Sequence, residues 1–164
     1  MKKKAIIMAA IAAVLLIGGC RAFEAGVAED IVLETQTMCE VLGEASRFSE
    51  VDYGEERAET VYEGWCDERL AGYVFLISEE GYRSNITMAV GIDVDTNVTG
   101  VKILQQKETS GRGSLITETA FLAQFCKEGR TADETVEAVS GATVSSQAVA
   151  RGVQKAIAMA KELM

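Results

Sequence analysis

The chain has 164 residues with 16 Lys or Arg against 25 Asp or Glu, no His, and a net charge of −9. That acidity, with no basic stripe interleaved by aromatics, argues against a nucleic-acid partner. With no histidine and no Cys-X-X-Cys spacing, the residues for a structural zinc or iron–sulfur site are missing, so no metal is expected.

The chain opens on Met1-Lys2-Lys3-Lys4, continues through an apolar run over residues 5–19 and reaches Cys20. Such a run makes a helix about 22 Å long at ~1.5 Å per residue, short of the roughly 30 Å hydrocarbon core of a bilayer. A basic start, a short apolar stretch and small residues before a cut site describe an export signal over residues 1–19. Ile17-Gly18-Gly19-Cys20 resembles a lipobox, which implies that Cys20 becomes a lipidated N-terminus. The alternative is an uncleaved anchor helix. Either one places the following domain on the extracytoplasmic side of the cell membrane, held there by lipid or by the helix.

Residues 20–58 read as a linker and leading helix. Ile31, Leu33, Met38 and Val41 recur in a loosely helical pattern. Residues 44–59 are polar and acidic, and are expected to form a loop in which Phe48 and Tyr53 supply packing contacts. Taking residues 1–19 from the 164 leaves 145 residues, a size that can bury a core, and the main domain spans residues 59–164.

Strands come next. Val61 and Tyr62 lie in a short β-prone stretch that Gly64 is expected to break. Residues 72–77 are continuously apolar and bounded by polar residues, as in a strand buried on both faces. Ile86, Met88, Val90 and Ile92 alternate with Thr87, Ala89, Gly91 and Asp93, a period of two. After Asp95-Thr96-Asn97, Val101 and Ile103 alternate again, so the last two strands are predicted to form an antiparallel hairpin.

Ile116, Ala120, Phe121 and Phe125 have helical spacing and predict a helix over residues 115–127. Val149, Val153, Ile157 and Ala160 predict another, starting near Thr143. The fold class is therefore α+β, an antiparallel sheet with flanking helices. Cys39, Cys66 and Cys126 are expected as buried free thiols, with one disulfide and a spare thiol as the alternative.

The start of the last helix carries the chemistry. Helix N-termini leave backbone N–H groups unpaired and hold partial positive charge, so an anion such as a phosphate is stabilised there. Gly141 and Ala142 permit close approach, and Thr143, Ser145 and Ser146 add hydroxyls. Ordinary helix caps are the commoner reading of hydroxyls in that place.

Ser140-Gly141-Ala142-Thr143, followed by Val-Ser-Ser and Ala148-Val149, resembles the flavinylation motif of the FMN-binding domain family. That family includes the G subunit of the Rnf electron-transport complex and the C subunit of the sodium-translocating NADH:quinone reductase. The resemblance implies FMN joined covalently through its phosphate to the hydroxyl of Thr143, with Ser140, Gly141, Ala142 and Ser145 beside it. It also implies a separate flavin transferase for maturation. Six positions before the threonine, where the family usually has aspartate, stands Glu137.

A second motif, Glu108-Thr109-Ser110-Gly111-Arg112-Gly113, is similar to the family's Glu-Thr-Pro-Gly-Leu-Gly loop, which lies against the flavin. Glu108, Thr109, Gly111 and Gly113 match it, Ser110 and Arg112 replace the proline and the leucine, and Gln106 replaces a common histidine. Gly81-Tyr82-Arg83-Ser84-Asn85-Ile86 and Val90-Gly91-Ile92-Asp93 look like the family's glycine-rich turn and strand end. Tyr82 is thus a candidate for stacking on the ring, or else an aromatic covering the sheet end. The likeness covers roughly residues 62–158.

The function expected from the resemblance is an exported, membrane-held carrier of electrons on one FMN. Its partners would be redox proteins, including polytopic membrane subunits if it is a G-type subunit, or an extracellular reductase if it is a free-standing lipoprotein. Two other functions stay open: a membrane-anchored domain that binds FMN or another phosphorylated ligand reversibly, and a structural lipoprotein without cofactor. No nucleophile–base pair is evident, which argues against a self-contained hydrolase.

Overall fold

The computed structural model describes residues 33–51, 59–126 and 136–164. The expected export segment, Cys20 and Tyr53 lie outside the described residues.

The strands β1 (Arg47–Val51), β2 (Thr60–Cys66), β3 (Arg69–Glu80), β4 (Asn85–Asp93) and β5 (Val98–Gln105) form a single sheet in sequence order. Each pairs antiparallel with its chain neighbour. Helix α1 (Thr35–Val41) packs against β4 and β5, and α3 (Thr143–Leu163) packs against β3 and β4. The expected α+β sheet with flanking helices is what the chain forms.

Strand alternation distributes side chains between the two faces. Tyr73, Phe75 and Ile77 of β3 and Ile86, Met88, Val90 and Ile92 of β4 point to one side, where they meet Val149, Val153, Ala156 and Ile157 of α3. Burying Val149, Val153 or Ile157 contributes about 1.5–3 kcal/mol each. Ala71, Val74 and Ala89 point the other way and pack with Leu33, Met38, Val41 and Leu42.

Five expectations change. Residues 47–51 form an edge strand rather than a loop, paired from Arg47↔Trp65 to Val51↔Val61. β2 runs through Gly64 because the missing side chain leaves room for Leu42 and Ala45; a Cβ there would lie 2.5 Å from Leu42 Cδ2. β4 is buried from Ile86 to Ile92 on both faces, since α1 covers the small residues. At Gly91 a Cβ would stand 2.1 Å from the carbonyl oxygen of Val41.

The fourth change concerns the continuous helix expected over residues 115–127. It is a 3₁₀ turn (Gly113–Thr117), a short α2 (Thr119–Leu122) and a second 3₁₀ turn (Ala123–Phe125). Glu118 is extended, with φ −69° and ψ 136°, and this interrupts the helix. Phe121 and Phe125 still reach the core, edge to face with centroids 5.5 Å apart. Fifth, the three cysteines are free, but Cys39 and Cys126 are exposed and Cys66 is half-buried.

Candidate functional site

α3 starts at Thr143, in keeping with a start expected near that residue, with Ala142 as N-cap. No side chain caps it. The amide of Ser146 bonds back to the carbonyl of Ala142 at 2.9 Å, so the donors ahead of it in the first turn have no intrahelical acceptor. Gly141, with φ +75°, takes the left-handed conformation that a residue with a Cβ adopts only at a cost. Its turn is closed by the Ala142 amide donating to the Val139 carbonyl at 2.9 Å.

The hydroxyls divide their roles. Thr143 is exposed. Ser145 is buried and donates to Oε2 of Glu108 at 2.6 Å. Ser146 is also buried and accepts from the Val139 amide at 3.0 Å. It therefore fastens the preceding segment rather than facing an anion.

Glu108, only 8% exposed, is the hub of the second motif. Besides Ser145, its Oε2 accepts from the amide of Tyr82 at 3.3 Å, and its Oε1 accepts from Arg83 at 3.0 Å and Ser84 at 3.2 Å. Burial works to raise its pKa. The Ser145 hydroxyl and the amides of Arg83, Ser84 and Tyr82 outweigh burial and hold it below the ordinary carboxylate value of 4.5. Glu108 is thus an anion with acceptor capacity filled by neutral donors.

Two further bonds set the loop. The Gln106 side chain accepts from the Glu108 amide at 2.7 Å, and Ser84 Oγ accepts from the Lys107 amide at 2.9 Å. Gly113 fits beneath Glu108, where a Cβ would lie 2.7 Å from Glu108 Cβ and 3.2 Å from Ser145 Oγ.

These segments enclose an open cleft of about 480 Å³, within the range of small-molecule sites. One wall is Tyr82, Glu108, Thr109, Arg112 and Gly113; the other is Gly141, Ala142, Thr143, Val144 and Ser145. The fold therefore brings both expected motifs to one place. Ser140 and Gly111 stand outside this lining, and Glu137 is exposed, its backbone bonded to the Gln124 side chain.

Sequence reasoning does not single out Ser84 or Val144. Ser84 acts through a backbone amide and a hydroxyl in a turn, for which residue type carries no signal. Val144 is a 46% exposed apolar residue in the first turn of α3, a feature that only the helix register could have revealed. Among the described residues there is no cluster of three or more potential metal ligands. No described helix is long and apolar enough to cross a membrane.

Residues 81–158 match the model of the FMN-binding domain. Over 138 residues the chain is 33% identical to the G subunit of the ion-translocating oxidoreductase complex of Methanosarcina acetivorans, covering 76% of this chain and 73% of that one. The chain belongs to the FMN-binding domain family.

Another relative is the G subunit of the Na(+)-translocating ferredoxin:NAD(+) oxidoreductase complex of Acetobacterium woodii, 28% identical over 166 residues, 85% of this chain and 80% of that protein. The FMN-binding domain here shares its fold with the NqrC crystal structure from Shewanella oneidensis, at a TM-score of 0.51 and 24% identity. That likeness covers 60% of this chain and about half, 54%, of the NqrC chain.

The residues present suit an FMN. The uncapped first turn of α3 offers amide donors to a phosphate, Thr143 offers a free hydroxyl beside them, and Tyr82, 70% exposed, offers an aromatic surface in the same cleft.

Proposed function

We propose that this chain carries electrons on an FMN joined through its phosphate to the hydroxyl of Thr143, in or beside an Rnf-type ion-translocating electron-transport complex. The observation that carries the reading is the exposed Thr143 at the uncapped start of α3, opening on the cleft that the Glu108–Gly113 loop walls. Its relatives are the G subunits of ion-translocating complexes.

Thr143 is the attachment point, and the first-turn amides with Gly141 and Ala142 hold the phosphate. A phosphodiester keeps negative charge where the helix dipole favours it. Thr109, Gly113 and Tyr82 face the rest of the ligand, and Glu108 holds the amide of Tyr82. Ser140 and Gly111 shape the two turns. When bound, the isoalloxazine supplies the redox chemistry.

The proposal extends to residues 1–20. An export signal with lipidated Cys20, or a retained anchor helix, holds the domain on the extracytoplasmic side of the membrane. A flavin transferase attaches the FMN, and redox proteins, polytopic membrane subunits among them, exchange electrons with it.

Expression of the full chain with a flavin transferase and FAD tests this. Wild type gains the mass of one FMN residue on the peptide containing Thr143, and Thr143→Ala gains none. Unmodified wild type, under conditions that modify a known relative, overturns the covalent link. Yellow colour left in the supernatant after acid precipitation would then identify a reversible FMN binder.

A further inference from the structure

Several described cations have a counterpart. Arg69 pairs with Glu44, Lys102 with Glu40, Arg151 with Glu79, and Lys155 with Glu59 and Glu79. Arg47 lies over the Trp65 ring, 5.6 Å from its centroid. Arg112 differs: it lines the cleft, and no described carboxylate pairs with it. Glu108, the acidic residue in the same lining, is engaged by the Ser145 hydroxyl and three backbone amides instead.

The position of Arg112 is informative. A methyl group placed on Gly141 would lie 3.7 Å from Arg112 Cδ, ordinary van der Waals distance. The aliphatic stem therefore lies beside the turn that leads into α3. A guanidinium on that stem is a planar, permanently charged donor suited to phosphate oxygens. On a chain of net charge −9, a cation left without a carboxylate next to a helix N-terminus is poised for an anionic ligand.

We infer that Arg112 pairs with the phosphate of the flavin seated at the start of α3 and makes the cleft select a phosphorylated flavin over an unphosphorylated one. This rests on the flavin reading of the cleft and adds a residue-specific role to it. Arg83, Lys107 and Lys161 also lack a described carboxylate partner, but they do not line the cleft, so their side chains take no part in the selection.

The test uses the full chain purified without the transferase, titrated with FMN and with riboflavin and followed by flavin fluorescence. Wild type binds FMN more tightly than riboflavin, and raised salt narrows the gap. Arg112→Leu weakens FMN about fivefold, the upper end for an exposed ion pair, and leaves riboflavin unchanged. That unchanged value also shows the variant to be folded. Arg112→Lys keeps part of the preference, and Arg83→Ala and Lys107→Ala keep all of it. The inference is overturned if wild type does not discriminate between the two flavins, or if Arg112→Leu weakens both equally or neither. Attachment of FMN to Thr143, read by mass on the same preparations with transferase, separately decides the flavin reading.

Discussion

Ser145 Oγ donates to Glu108 Oε2 at 2.6 Å across 37 residues of sequence, and through that bond the first turn of α3 is clasped to the loop after β5. The same carboxylate holds three amides of the β3–β4 turn. Three separate segments of the cleft thus depend on one side chain.

The clasp predicts non-additive substitutions. Ser145→Ala leaves Oε2 only the 3.3 Å amide of Tyr82 and costs about 1–2 kcal/mol. Glu108→Ala strands three amides and a hydroxyl and costs about 3 kcal/mol. In urea unfolding the double variant loses less than the sum, by about 1 kcal/mol. Strict additivity would mean that the two side chains act separately.

Acid should open the clasp in a defined window. The folded pKa of Glu108 lies below its ordinary value of 4.5, so as pH falls the unfolded chain takes up this proton first. The contribution of Glu108 is complete above about pH 4.5 and is lost as pH drops through the lowered folded value. Urea midpoints of wild type and Glu108→Gln, measured from about pH 7 to about pH 3, converge at the acid end. A constant difference across that range contradicts the assignment.

Gly111 and Gly113 separate strain from collision. Gly111 has φ +72° and open space around its Cβ position, so Gly111→Ala costs about 1 kcal/mol of backbone strain. Gly113→Ala drives a methyl group against Glu108 and Ser145; it costs more, about 2–3 kcal/mol, and disturbs the cleft. Equal thermal shifts for the two variants would refute the distinction.

Thr143 is exposed and caps nothing. Thr143→Ala therefore changes stability by no more than about 0.5 kcal/mol, while removing the hydroxyl needed for attachment. A large loss of stability would give that side chain a structural role instead.

Much of this was legible in the residues. Apolar periodicity placed the start of α3 near its first residue, and residues of the two glycine-bearing motifs lie together in the lining of the cleft. What escaped was determined by partners distant in sequence. β1 has Phe48 and Val51 only half-buried, and its pairing with β2, not its own periodicity, makes it a strand. The Thr-Glu-Thr step at residues 117–119 is compatible with a helix by residue type, yet Glu118 takes an extended backbone. The alternation in β4 signalled one buried face, whereas its small residues serve to admit α1. Nothing in Glu108 itself announced four donors from two other segments.

The manner in which Glu108 is held has a consequence for the solution around the molecule. Its counterparts are dipoles built into the backbone and one hydroxyl, and none is a mobile or titrating cation. Electrolyte that loosens surface pairs such as Arg69 with Glu44 finds little to screen here. The wall of the cleft keeps its shape from dilute to briny media.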